Sequence, residues 1–307
     1  MMLYDLPAPA KLNLFLHVIG RRGDGYHLLQ SAFRLISLAD SLDIDLRHDG
    51  VIGRETDMPG VAHDDDLVVR AARLLQQSTG SHFGAQIHVR KRIPAGGGLG
   101  GGSSDAATVL IALNKLWKTQ LNRTELMQIG LKLGADVPFF IFGQNAFAEG
   151  VGEALQAIDL ESQYFVVVQP AQQVPTQGIF QDPDLTRDTK SVRIMDFSRG
   201  SGIGSADGSK GLFGHNDLQP VVLKHYPVVR QAFDWCQRSG LNVRMTGSGS
   251  CLFAVFLQQD QAALAYEKTL AKMRSEFSED LAAGAQSPIK QLFICDGLSE
   301  HPLRNWL

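Results

Sequence analysis

Residues 94–104 read Pro-Ala-Gly-Gly-Gly-Leu-Gly-Gly-Gly-Ser-Ser, with six glycines in the seven positions 96–102. Glycine lets the backbone take positive φ, and it lets main-chain N–H groups approach a bulky anion with no Cβ in the way. A strand-like stretch, Gln86 to Arg92, precedes the run, and a long helix starting near Ser103 follows it. A helix N-terminus adds unpaired N–H groups and the positive end of its dipole. A triphosphate best matches this arrangement. Its candidate contacts are Lys91 and the whole loop: Pro94, Ala95, Gly96, Gly97, Gly98, Leu99, Gly100, Gly101, Gly102, Ser103 and Ser104. The alternative is a merely flexible linker, but linkers seldom sit tightly between a strand and a helix.

The nucleotide class is a separate question. Gly96, Gly98 and Gly101 satisfy GxGxxG. A dinucleotide fold wants that pattern after its first strand, with an acid about 20 positions on at a strand end. Here the acid at that distance is Glu125, in the first turn of a helix. No Lys-Ser/Thr pair follows Gly102, so Walker A fails. His-Arg-Asp and Asp-Phe-Gly are missing as well, which excludes the protein-kinase set. The loop belongs to some other ATP-binding class.

The elements that must hold this loop can be read from apolar spacing. Lys11 to Val18 alternates in part, as a half-buried strand does, and Leu42, Ile44 and Leu46 repeat that period. Leu67 to Gln77 reads as a helix with Leu67, Ala71, Leu74 and Leu75 on one face. Ser104 to Trp117 reads as a helix with a single apolar face. The next helix opens on Asn122 with Glu125 three positions later, a capping box, and Gly134 is placed as its C′ glycine. Tyr164 to Val168, Cys251 to Leu257 and Ile289 to Cys295 read as strands, and 228–236 and 261–275 as helices. The Gly/Ser-rich segment 199–214 reads as a flexible loop or insertion. Strands and helices mixed in both halves indicate an α+β, two-lobed chain with a boundary between Ala157 and Ser162.

Composition narrows the class further. The 307 residues carry a formal charge of −3, and 44% are hydrophobic, which excludes a disordered chain. No apolar run approaches the roughly 20 residues of a spanning helix. The N-terminus has neither a basic n-region nor an apolar h-region. Cys236, Cys251 and Cys295 are odd in number and far apart, so reduced core cysteines are expected. The near-neutral balance gives no general attraction to nucleic acid or membrane. A soluble cytoplasmic enzyme is expected, with no dedicated metal ligands and no obligate protein partner evident.

Pro9-Ala-Lys-Leu-Asn-Leu14, the glycine loop and Met245-Thr-Gly-Ser-Gly-Ser250 resemble, in content and spacing, the three motifs of the GHMP kinase superfamily. Arg22-Gly-Asp-Gly-Tyr-His27, Gly134-Ala-Asp-Val-Pro138, Pro175-Thr176 and Asn216-Asp-Leu218 narrow the resemblance to one branch. The acceptor of that branch is the tertiary 2-hydroxyl of a methylerythritol unit carried on a cytidine diphosphate, in the non-mevalonate isoprenoid pathway. The resemblance covers essentially the whole chain. It implies a two-lobed GHMP kinase fold: an N-terminal ribosomal-protein-S5-like ATP-binding domain over 1–158 and a C-terminal ferredoxin-like substrate domain over 159–307.

The resemblance also implies roles. Asp136 matches the catalytic aspartate, and a carboxylate against a hindered alcohol can orient it and take its proton. It is expected just past a helix C-terminus, in irregular chain; the plainer reading is an Asp that only organises the Gly134 turn. Lys11 matches a second catalytic residue that would stabilise charge on the moving phosphoryl group. Read blindly, a Lys at a strand start is usually a solvated charge. Asn13 shares a strand face with Lys11 and is expected to contact the polyol. Tyr26 and His27 match a cytidine-binding segment, Phe180 a second face of an aromatic sandwich, and Thr176 a polar contact. A packed loop aromatic and a surface His are the alternative for the first two. Gly247 and Ser248 of the third motif would close on the phosphates or the acceptor arm, unless that segment is only a hairpin turn. ATP is the implied co-substrate. Mg²⁺ is implied too, held mainly through phosphate oxygens and water with help from Ser103 or Ser104. Asp66 stands where this branch commonly has Asn near the adenine pocket, and Asp105 lies in the first turn of the phosphate helix.

Overall fold

A computed structural model describes residues 1–55, 62–200, 212–282 and 287–307. Most of the Gly/Ser-rich segment 199–214 therefore lies outside the described residues. Two long strands open the chain, β1 (Met2–Arg21) and β2 (His27–Arg47), antiparallel from Met2 opposite Asp45 to Arg21 opposite His27. Then come β3 (Ile52–Arg54), α1 (Leu67–Thr79), β4 (Gly84–Arg90), α2 (Gly101–Leu116), α3 (Arg123–Leu131) and α4 (Val137–Phe142). β5 (Ala146–Glu149) and β6 (Ala154–Ala157) complete a six-stranded sheet in the order β3-β4-β2-β5-β6, with β1 paired to β2.

The later chain gives β7 (Tyr164–Pro170), α5 (Thr176–Gln181), α6 (Ile194–Gly200), α7 (Leu218–His225), α8 (Pro227–Arg238), β8 (Arg244–Met245), β9 (Leu252–Phe256), α9 (Gln259–Ala282) and β10 (Ile289–Asp296). Its strands form a second sheet, β10-β7-β9-β8. Among the described residues no helix is long and apolar enough to cross a membrane. Cys236, Cys251 and Cys295 are free and buried, and burial pushes each thiol up to about 12.

Two expectations are corrected by packing. β1 was expected to be half-buried, yet residues 8–18 are buried throughout, including Lys11, Asn13 and His17. Ala8 belongs to the first-sheet core. Ala10, Leu12 and Phe15 pack with Phe165, Val167 and Phe253 of the second sheet, so β1 serves both cores. Likewise α2 has no solvent face: Ser104 to Asn114 are all buried, because α1, α4, β1 and β2 surround it. Ala106, Ala107 and Ala112 let those neighbours approach closely.

Helix ends also differ. α2 begins at Gly101, earlier than Ser103, since the first helical positions need no intrahelical N–H partner and so tolerate glycine there. The capping box is present: the Asn122 side chain accepts from the Glu125 N–H at 3.1 Å, and Glu125 accepts from the Asn122 N–H at 2.7 Å. Gly134 is not a left-handed cap; α3 stops at Leu131 on a right-handed Lys132, and the Gly134 N–H donates to the Gly130 carbonyl. Asn122→Ala should cost about 1 kcal/mol of stability with unchanged turnover, checked by urea unfolding.

Candidate active site

The chemistry-bearing segments converge on one cavity of about 1130 Å³. All the candidates named from the sequence line it except Ser104. The Ser104 hydroxyl donates to the Pro9 carbonyl at 2.7 Å, its N–H donates to the Gly100 carbonyl at 2.9 Å, and the side chain is fully buried. One residue along a helix is a rotation of about 100°, which turns Ser104 toward β1 while Ser103 stays at the cavity. Ser104 is thereby removed as a phosphate or metal contact.

Lys11 sits where β1 passes the glycine loop, and its N–H donates to the Leu99 carbonyl at 2.9 Å. Only 4% exposed, it is no solvated charge. Its Nζ donates to Asn13 Oδ1 at 2.6 Å, lies 3.4 Å from Asp136 Oδ2, and stands 4.9 Å from the centre of the Phe33 ring. Asn13 is held in turn: its Nδ2 donates to Ser31 Oγ at 2.8 Å, and that hydroxyl donates to the Phe15 carbonyl at 2.6 Å. Thr246 Oγ1 accepts from the Asn13 N–H at 2.9 Å, tying the first motif to the third. Ser31 carries no signal of its own and is brought in by pairing register, while Thr246, inside the third motif, reaches Asn13 by a contact across 233 residues.

Asp136 lies, as expected, in the irregular turn after α3, which ends at Leu131. It is the N-cap residue of α4, makes no side-chain cap bond, and keeps a side chain 36% exposed on the cavity. Val137, Pro138, Phe139 and Phe140 behind it are buried, so α4 is an apolar anchor for the carboxylate.

The glycine loop is stitched to the third motif. The Ser250 and Cys251 N–H groups donate to the Gly96 and Gly97 carbonyls at 3.4 and 3.1 Å. A Cβ on Gly98 would lie 2.3 Å from the Thr246 carbonyl oxygen, and Gly247 takes φ +56° with a notional Cβ 3.0 Å from the Gly98 oxygen. Glycine is needed here for chain against chain as well as for access to an anion. Asn216 closes the same turn from beneath, donating from Nδ2 to the Met245 and Gly247 carbonyls at 2.8 Å each.

At the α2 N-terminus, Lys91 Nζ bridges Asp40 and Asp105, 2.6 Å from Asp105 Oδ2. Burial works to lower the Lys91 pKa, but the charges of Asp105 and Asp40 outweigh it and the shift is upward. Burial raises Asp105 to about 7 against the pull of Lys91, and the Asp40 charge adds to the rise. Asp40 also accepts the Ile93 N–H at 2.8 Å and thereby sets the entry to the loop. Asp66 also lines the cavity, but it caps α1 by accepting the Val68 N–H at 2.8 Å, and it pairs with the buried Arg54. Its carboxylate is occupied by structure, which explains an Asp at this position.

The far end of the cavity holds Tyr26, 64% exposed, and His27, whose ring centre is 5.2 Å from that of Phe180. Phe180 is part of α5, only partly buried. His27 is not a surface residue, and its pKa is lowered by burial and by the charges of Arg187 and Arg21. Thr176 Oγ1 and Ser248 Oγ are 2.7 Å apart, linking α5 to the third motif. Arg187 was not foreseen: Nε donates to His27 Nε2 at 3.1 Å from 160 residues away.

Two lobes built on separate sheets, with a glycine loop, a helix N-terminus and a lysine–aspartate pair in one cleft, define a small-molecule kinase. The family description GHMP kinases N terminal domain matches residues 66–144, and GHMP kinases C terminal matches 201–275. The chain belongs to the GHMP kinases, which are ATP-dependent phosphotransferases. It is 57% identical over its whole length, and 99% of the relative's, to 4-diphosphocytidyl-2-C-methyl-D-erythritol kinase of Bordetella parapertussis. It is 52% identical to the protein of that name from Aromatoleum aromaticum, over 99% of this chain and 97% of the other. The crystal structure of a 4-(cytidine 5'-diphospho)-2C-methyl-D-erythritol kinase superposes with a TM-score of 0.74 at 32% identity, covering 97% of this chain and 99% of that one. Within the GHMP kinases, that is the family of this chain.

Asp105 gives the site a pH dependence. As pH rises through about 7 it loses its proton and adds a negative charge beside the anion-binding helix end, so anion binding weakens. In Asp105→Asn the KM for ATP should be several-fold below wild type at about pH 8, the two converging toward about pH 6. Initial rates at varied ATP measure this.

Proposed function

We propose that the chain transfers the γ-phosphate of ATP to the tertiary 2-hydroxyl of 4-diphosphocytidyl-2-C-methyl-D-erythritol, giving the 2-phosphate and ADP, a step of non-mevalonate isoprenoid synthesis. The observation that carries this reading is the Lys11–Asp136 pair, 3.4 Å apart and facing the cavity that the glycine loop also lines.

Phosphoryl transfer leaves a protein little covalent work, and positioning and charge neutralisation dominate. Asp136 accepts the hydroxyl proton as the oxygen–phosphorus bond forms. The bond from the γ-phosphorus to the bridging oxygen breaks, and ADP leaves with that oxygen. Lys11, fixed by Asn13, puts a buried positive charge beside the transferring group, where the low dielectric strengthens it. The N–H groups of residues 101–103 precede the first helical bond and supply donors to the phosphates. Asn13 orients the polyol, and Tyr26 and Phe180 flank the base, with His27 at its edge and Thr176, Gly247 and Ser248 along the connecting arm.

A divalent cation fits the donors at the loop. Among the described residues no cluster of three or more His, Cys, Asp or Glu could cage a metal. Ser103 faces the cavity beside the free N–H groups of the α2 end. That set suits Mg²⁺ held chiefly by phosphate oxygens and water, where it would neutralise charge on the phosphates. The substrate-class partner is a small molecule bearing cytidine diphosphate, with no nucleic acid or membrane involved. We place the domain boundary after residue 158, in the link between β6 and β7. The three free buried thiols suit the reducing cytoplasm.

Asp136→Asn should keep ATP binding and lower kcat by about 10²–10⁴. ADP release, coupled to an indicator reaction with the diphosphocytidyl substrate, measures it. Near-wild-type turnover would remove Asp136 from this role. ADP release with homoserine or mevalonate in place of the cytidyl substrate would favour another member of the superfamily.

A further inference from the structure

We propose that Arg187 is a specificity-determining positioning residue: it holds His27 in the tautomer whose Nδ1 carries the proton, so that the base pocket accepts cytosine and rejects uracil. This rests on the cytidine reading of the pocket above.

Arg187 Nε lies 3.1 Å from His27 Nε2. Guanidinium nitrogens only donate, so this contact is a hydrogen bond only when Nε2 presents its lone pair. A neutral imidazole with Nε2 unprotonated carries its hydrogen on Nδ1. No protein group bonds Nδ1 among the described residues, and the ring lines the cavity against Phe180. Arg187 is itself fixed: NH1 donates to the Leu185 carbonyl at 3.0 Å, and NH2 donates to the Phe180 and Asp182 carbonyls at 3.1 and 2.6 Å. The guanidinium thus spans the end of α5, which carries Phe180, and the histidine ring that Phe180 faces. Burial and the charges of Arg187 and Arg21 all disfavour a second proton on the ring.

A fixed donor at the base edge discriminates by mismatch. Ring nitrogen N3 accepts in cytosine and carries hydrogen in uracil, so an Nδ1–H meets an acceptor in one and a second donor in the other. Sites that hydrogen-bond a polar group reject an analogue that cannot answer, since the buried group is then left unpaired. Without Arg187 the imidazole can shift its proton to Nε2 and offer a lone pair from Nδ1, which answers uracil.

The test compares CDP and UDP as competitive inhibitors against the cytidyl substrate for wild type, Arg187→Met and Arg187→Lys. Wild type should favour CDP. Arg187→Met should lower the UDP-to-CDP ratio of inhibition constants by at least about tenfold and raise KM for the acceptor, with the effect on kcat smaller. Arg187→Lys, which still donates, should restore most of the preference. Nitrogen NMR of labelled histidine in the wild-type protein should find the His27 proton on Nδ1, a reading independent of whether the Met variant folds. A proton on Nε2, or an unchanged ratio in a folded Arg187→Met, overturns the tautomer lock while leaving the cytidine reading intact. Wild type that binds neither nucleotide overturns both.

Discussion

An ammonium group taken out of water must find compensation in the protein that buries it, and Lys11 is almost wholly buried. Its partners come from three separate parts of the chain. Asn13 lies on the same strand face, Asp136 heads α4, and the Leu99 carbonyl holds the lysine backbone to the glycine loop. None of these can move far without leaving the charge exposed to an apolar surround, where Phe33 and Phe140 line the space. The same contacts that make the buried charge tolerable bring a base, a cation and an anion cradle to one point.

From that point the cavity divides by charge. Toward α2 it offers N–H donors at a helix end, with a lysine between two carboxylates beside them. This cluster is close enough to the loop for its protonation to matter, because Asp105 titrates near neutrality in its buried setting. Toward α5 the cavity becomes aromatic, with His27 against Phe180 and bonded by Arg187. A molecule reaching from one end to the other needs a flat base, a linking arm of several polar groups and a hydroxyl near Asp136. The third motif runs between the two ends, bonded to the loop through Cys251 and to α5 through Ser248.

Much of this was legible because local chemistry leaves local marks. The glycine run, the Asn122–Glu125 box and the apolar periods of α1, α8 and β9 are each set within a few residues of chain. The failures have the opposite origin. Half-burial of β1 and a single face on α2 follow from period alone, and both were overruled by neighbours arriving from the second sheet and from α4. Ser104 looks identical to Ser103 in the loop; only the rotation of a helix that begins at Gly101 sends its hydroxyl to Pro9. α5, α6 and α7 carry short patterns that give too few turns to register.

The order of residues by itself determined the kind of chemistry, since a glycine-rich run before a helix and a few matched segments restrict what groups can meet an anion and an alcohol. Tertiary structure alone decided which side chains are free to act. Asp136 keeps its carboxylate open because α4 does not use it as a cap, whereas Asp66, a similar residue at another helix start, is consumed by capping and Arg54. The Arg187–His27 bond has no trace in one dimension, because a hydrogen bond spanning 160 residues depends on distance in space and on nothing in between.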